Sequence, residues 1–165
     1  MISLLQRAPV RGRIPVATLR RRAAKLLAAL GRGDDELVVV LTDDEEIQAL
    51  NRDFRGKDQP TDVLSFPQEE GEAMPLPPGE PVPLGDVVIS LDTAERQLAD
   101  GCLPRLWPAL GADAAPPWAL MDEVTFLLLH GVLHLVGHDH MEPDEAAEME
   151  ALEAKLLPGL LGRRK

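Results

Sequence analysis

The chain has 165 residues, 28 acids against 17 bases, a formal net charge of −11 and 45% hydrophobic residues, the makeup of one ordinary globular domain able to bury a core without staples. A single cysteine, Cys102, excludes an internal disulfide and suits a reducing cytoplasm, while no apolar run reaches the ~18 residues of a membrane span and no apolar segment near the start resembles an export signal. The bulk acidity argues against a polyanionic partner, yet the charge is uneven: Arg7, Arg11, Arg13, Arg20, Arg21, Arg22, Lys25 and Arg32 fall in residues 1–33 with no acid among them, a basic head that is either a solvated helix face or a phosphate-contacting patch.

In chain order, Ile2 to Leu5 is short and apolar enough for a first strand. From Pro15 the period becomes helical, with Val16, Leu19, Ala23, Leu26, Leu27 and Leu30 spaced at three and four, Pro15 suited to a first turn and Gly31 to the stop. Leu37-Val38-Val39-Val40-Leu41 is β-branched and continuous, which predicts a buried strand. Thr42-Asp43-Asp44-Glu45 supplies a cap and an acidic first turn for a helix carrying Ile47, Leu50 and Phe54. That helix runs into the polar loop from Asn51 to Asp62, and Asp62 to Phe66 follows as a strand ended by Pro67.

Six prolines between residues 67 and 83 predict a long surface loop, either a lid or a connector. Gly85 to Ser90 reads as a strand, and Asp92-Thr93-Ala94-Glu95 starts a helix that ends near Gly101. A second proline-rich loop over 102–117 leads to a helix from about Trp118 to Val136 that is apolar nearly all round and so belongs at the centre. Glu142-Pro143-Asp144-Glu145 opens the last helix, 142–157, with Met149, Leu152, Leu156 and Leu157 on one side. Strands interspersed with helices point to an α+β fold in a single domain, 1–165: a small mixed β-sheet packed by helices around the central apolar helix.

All four histidines fall within residues 130–140. Residues four apart on a helix share a face, so His130 and His134 can share one ligand. Gly137 can end the helix in a left-handed turn, which lets the chain fold back and bring His140 to the same point. The pattern His-x3-His-x5-His, three imidazoles around an open fourth position, is how a catalytic zinc is held, although imidazole also accepts nickel, copper and iron. The spacing matches the metzincin zinc proteases with one departure: Gly131 stands where they carry the glutamate that acts as general base. A metal without that carboxylate still lowers the pKa of its water to about 7 and polarises a bound oxygen, which suits phosphate-ester as well as amide cleavage.

The segment His130-Gly131-Val132-Leu133-His134-Leu135-Val136-Gly137-His138-Asp139-His140 resembles the signature of the YbeY family of bacterial endoribonucleases. Phe54-Arg55-Gly56-Lys57-Asp58 with Pro60-Thr61-Asp62-Val63-Leu64-Ser65-Phe66-Pro67, and Leu84 to Ser90, resemble two further blocks of that family in order and spacing. The resemblance covers roughly residues 36–157 and implies a metal-dependent, single-strand-specific endoribonuclease of ribosomal RNA maturation, acting at the 3′ end of the small-subunit RNA and on defective ribosomes. It implies one Zn2+ held by His130, His134 and His140, with Arg55 facing the RNA phosphate; the catalytic groups are then Arg55 and a zinc-bound water, unless the 2′-hydroxyl of the RNA attacks instead. An arginine fork can bind a phosphate bidentately and offset charge that develops on it.

Lys57 is a second candidate for phosphate contact. Asp139 is either a proton acceptor or a turn residue, and Asp62 and Asp86 either orient the histidines or cap turns. The family usually has tyrosine where this chain has His138, which is expected to point away from the face that His130 and His134 share. The partners implied are single-stranded ribosomal RNA, small-subunit ribosomal proteins and an assembly GTPase, in the cytoplasm and with no membrane. Two other readings are a zinc peptidase with metzincin-like ligands and a non-catalytic ribosome-assembly factor with a structural metal and an RNA-docking basic helix.

Overall fold

The β-branched run at residues 37–41 becomes the inner strand of the sheet, flanked on both sides by parallel neighbours. The computed structural model describes residues 1–67, 82–99, 119–137 and 142–161. They form β1 (Ile2–Gln6), α1 (Val16–Ala29), β2 (Glu36–Thr42), α2 (Asp44–Arg55), β3 (Val63–Pro67), β4 (Pro83–Ser90), α3 (Leu91–Ala99), α4 (Leu120–Leu135) and α5 (Pro143–Leu160), with a short 3-10 turn at Ala8–Val10. The strand order is β1-β2-β4-β3. β1 and β4 both pair with β2 in parallel, and β3 pairs with β4 antiparallel. This is the mixed sheet of the α+β expectation, with β3 at one edge.

Alternation along the strands sorts the side chains onto two faces. Leu37, Val39, Leu41, Val87 and Ile89 join the main core with residues of α1, α3, α4 and α5, whereas Val40, Leu64 and Val88 pack on Ile47 of α2 across the other face. α4 is central, as its sequence demands: Val124, Leu127, Leu128, Leu129, Val132 and Leu133 are at most 2% exposed, each contributing about 1.5–3 kcal/mol of burial. Among the described residues, no helix is long and apolar enough to cross a membrane.

The N-terminus of α2 is fixed twice. Asp43 caps it by accepting from the Glu46 amide at 3.0 Å. Asp44 accepts from Ser90 Oγ at 2.7 Å and Thr93 Oγ1 at 2.6 Å, and pairs with Arg96. Burial pushes the Asp44 carboxyl pKa upward, but the hydrogen bonds from Arg96, Thr93 and Ser90 outweigh it and hold the group below its ordinary range.

Most of the basic head is used inside the fold. Arg13 bridges to Asp92 and Glu95 at 2.8 and 2.7 Å, Arg7 to Glu46 at 3.1 Å and Arg32 to Asp35 at 3.1 Å. Arg22 donates to Thr125 at 2.8 Å, while Arg20 and Lys25 donate to the carbonyls of Ile2 and Gly159, each at 2.8 Å. The choice between a solvated helix face and a phosphate patch therefore has a third answer for six of these eight cations, because carboxylates meet Arg7, Arg13, Arg22 and Arg32 and backbone carbonyls meet Arg20 and Lys25.

Several boundaries differ from expectation. Asn51 to Arg55, read as the start of the polar loop, belong to α2. Pro67 and Pro83, read as the ends of one loop, are the last residue of β3 and the first of β4, positions where a missing ladder donor is tolerated. α5 continues through Pro158 to Leu160, because Leu160 and Leu161 still reach the core. The interiors of the two proline-rich stretches lie outside the described residues.

Candidate functional site

The last turn of α4 brings two imidazoles together. Nε2 of His130 and Nε2 of His134 stand 3.2 Å apart, their rings 4.7 Å apart and steeply inclined at 81°. The helix then ends as the sequence requires. The Gly137 amide donates to the His134 carbonyl at 3.1 Å, and Gly137 takes φ of 102°, outside the range comfortable for a side-chain-bearing residue.

The other ring nitrogen of His130, Nδ1, lies 3.1 Å from Oε1 of Glu153 on α5. The fit to a metal can be tested on these distances. Two nitrogens bound tetrahedrally to zinc at about 2.0–2.1 Å stand about 3.4 Å from each other, close to the separation seen here. A carboxylate on the far nitrogen is also the usual companion of a metal-bound histidine. The two described nitrogens have the spacing that a shared metal ion requires, although among the described residues no group of three ligating side chains is present.

Gly131 explains why the chain lacks the protease glutamate. A Cβ built there would meet Val87 Cγ1 at 2.7 Å, Ser65 Oγ at 3.1 Å and Val63 Cγ2 at 3.2 Å. Ser65 Oγ also donates to the Gly131 carbonyl at 2.8 Å. The position after His130 is thus the close contact by which α4 lies on β3 and β4, and a glutamate there would lift the helix off the sheet. The zinc peptidase alternative loses its general base for a packing reason.

Arg55 is the last residue of α2, and Gly56 ends the helix in the left-handed conformation with φ of 70°. The following loop is pinned from below by Asn51, only 2% exposed, whose Nδ2 donates to the Gln59 carbonyl at 2.9 Å and whose carbonyl accepts from the Lys57 amide at 3.3 Å. Arg55 and Lys57 are both exposed. α4 packs on the Val63 and Ser65 side of β3, and α2 on its Leu64 and Phe66 side. The histidine pair and Arg55 therefore belong to elements that flank the same edge strand.

The family described as Endoribonuclease YbeY matches this chain over residues 13–103 and 111–160. The chain belongs to the YbeY family. It is 45% identical to the Endoribonuclease YbeY of Paramagnetospirillum magneticum, over 85% of this chain and 77% of that protein. It is 47% identical to that of Anaeromyxobacter sp. strain Fw109-5, over 92% of this chain and 69% of that one. Its fold is similar to the solution structure of TM1509 from Thermotoga maritima, with a TM-score of 0.62 and 26% identity, covering 98% of this chain and 90% of that chain. The segments matched to the YbeY family contain Arg55, Lys57, all four histidines and Glu153.

Within this YbeY-family chain, some candidate residues sit elsewhere than expected. Asp62 does not reach the histidines: its Oδ1 accepts from the Val63 amide at 2.7 Å and from Thr61 at 3.3 Å, and its Oδ2 from Gln97 at 3.2 Å. Of its two expected roles it takes that of a turn-capping residue. Asp86 stands opposite Phe66 and Val38 in the strand pairing, on the α2 face and away from α4. Phe54 continues the apolar stripe of α2 over the edge strand β3, where it is 67% exposed while Ile47 is fully buried, and it rests edge-on against Phe66 at 5.2 Å. His138, Asp139 and His140 lie outside the described residues.

Glu153 is the residue that the sequence reading missed. Its signal was present: it falls four after Met149 and four before Leu157, a carboxylate in the middle of a buried stripe, where a charge requires a partner.

Proposed function

We propose that this YbeY-family protein is a metal-dependent, single-strand-specific endoribonuclease of ribosomal RNA maturation, acting at the 3′ end of the small-subunit RNA and in ribosome quality control. The observation that carries the reading is the convergence of His130 and His134 at 3.2 Å with Glu153 behind His130, an arrangement suited to a metal ion. His140, supplied by the chain beyond Gly137, is the third ligand, and zinc is the ion that the imidazole set and its spacing favour. Zinc in that position supplies a Lewis acid and a water of lowered pKa, near 7.

The chain's own residues do the rest. The exposed guanidinium of Arg55 grips a phosphate bidentately and offsets charge that builds on its oxygens during cleavage. Lys57, two residues on, adds a point charge for the backbone. Asp139 serves as a proton acceptor beside the metal ligands. Because Arg55 ends α2 and Lys57 follows it on a loop that Asn51 holds in shape, the phosphate meets them at little ordering cost. The family relation supports RNA as the substrate, and the closed position at Gly131 speaks against peptide hydrolysis. The expected partners are small-subunit ribosomal proteins and an assembly GTPase, in the cytoplasm.

The test is incubation of the zinc-loaded protein with an end-labelled single-stranded fragment from the 3′ end of small-subunit RNA and with the same fragment in a duplex. Cleavage of the single strand only, abolished by chelation and restored by zinc, is expected. Products ending in a 2′,3′-cyclic phosphate would assign the attack to the RNA 2′-hydroxyl; a 3′-hydroxyl paired with a 5′-phosphate would assign it to water. Equal cutting with and without chelator would overturn the metal dependence.

A further inference from the structure

We propose that Glu153 is a positioning residue of the metal centre, which accepts the Nδ1 proton of His130 and thereby turns the Nε2 lone pair of that ring toward the ion. This rests on the metal reading above. The carboxylate comes from α5, a different element from the histidines, and reaches Nδ1 at 3.1 Å. Its side chain is 5% exposed, against 27% for that of His130. A carboxylate so far from water is costly unless a donor meets it, and His130 is a donor that meets it.

The chemistry fixes the tautomer. An ionised carboxylate only accepts, so the proton of a neutral His130 must sit on Nδ1 and Nε2 must carry the lone pair. In the metal-free chain the 3.2 Å contact between the two rings is then a hydrogen bond from His134 Nε2–H to His130 Nε2. Glu153 is not itself placed as a ligand: it meets the ring at Nδ1, on the far side from the nitrogen that faces His134. Met149 and Leu157, one turn before and after it on α5, are 1% and 0% exposed. The docking of α5 thereby delivers the carboxylate at a fixed height along α4, and the C-terminal helix becomes part of the site without touching the ion.

The bland alternative is that Glu153 only ties α5 to α4. The full-length variants Glu153→Met, which keeps bulk, and Glu153→Gln, which keeps an acceptor but not the charge, separate the two. Zinc affinity is measured by competition with a chromophoric chelator, thermal melting in EDTA, and the histidine tautomers by long-range 15N–1H spectra of the metal-free protein. The expected outcome for Glu153→Met is a loss of zinc affinity of about 10–100-fold and of the Nδ1–H tautomer at His130, with Glu153→Gln in between. Zinc affinity within twofold of wild type in both variants, whatever their melting temperatures, would overturn the proposal. If Glu153→Met does not fold, Glu153→Gln decides alone, a fall in affinity supporting the role and an unchanged one refuting it. A His134→Ala variant that binds zinc as wild type does would sink the metal reading and this role together, whereas normal dependence on His134 with no dependence on Glu153 would sink this role only.

Discussion

Replacing Gly131 with alanine adds one methyl group where α4 meets the sheet, and two opposed terms set the outcome. Alanine is favoured over glycine inside a helix by about 0.8–1.0 kcal/mol. Against this, the new Cβ stands 2.7 Å from Val87 Cγ1 and 3.2 Å from Val63 Cγ2, where unstrained carbon pairs prefer about 3.5–4.0 Å. Val87 is fully buried and cannot swing out of the way, so the helix must move. Overpacking of this kind costs about 1–3 kcal/mol. Movement also strains the Ser65 to Gly131 hydrogen bond, worth about 0.5–1.5 kcal/mol. The net is a destabilisation of about 0.5–3.5 kcal/mol, which for a chain of this size lowers Tm by about 1–14 °C. Thermal and urea unfolding of the metal-free protein in EDTA measure it without a contribution from bound ion. A Gly131→Ala protein as stable as wild type would refute the close-contact argument, and would reopen the position to the glutamate of a zinc peptidase.

Two further outcomes test the frame around the site. Gly56→Ala should cost about 1–2 kcal/mol from backbone strain alone, because φ is 70° and nothing lies within 4 Å of a Cβ built there; a lower urea midpoint with unchanged m is the expected signature, and an unchanged midpoint would contradict it. Asp44 has a folded-state pKa below its ordinary value of 3.8, so its ion pair contributes stability above the unfolded pKa and loses it as pH falls through the folded value. Asp44→Asn should therefore be less stable than wild type near pH 7 and approach it in acid; a constant difference from neutral pH down to pH 2–3 would mean that the carboxylate charge is not what anchors α2.

The histidine pair was legible because it depends only on helical period, and Gly137 because ending a helix is a local matter. The strands of residues 37–41 and 85–90 were legible for a similar reason, since their β-branched runs name a buried strand without reference to partners. Phe54 was not, because its spacing places it on the stripe of α2 while the strand order, with β3 at the edge, decides how far that stripe is covered. Asp62 and Asp86 looked able to orient the histidines until strand parity put Asp86 on the opposite face and Gln97 claimed one oxygen of Asp62. Glu153 lies 23 residues from His130, and only the packing of α5 on α4 brings the two together. The basic head left both a solvated face and a phosphate patch open because sequence shows the number of its cations but not the carboxylates and carbonyls that face them.

The most direct test of the account is cleavage of a single-stranded ribosomal RNA fragment by wild type, Arg55→Ala and His134→Ala, with metal content and circular dichroism recorded for each. The account predicts that all three fold, that only His134→Ala loses metal, and that both variants lose cleavage that wild type performs. Equal cutting by all three would contradict it, and unfolding of His134→Ala alone would shift the metal from a catalytic to a structural role.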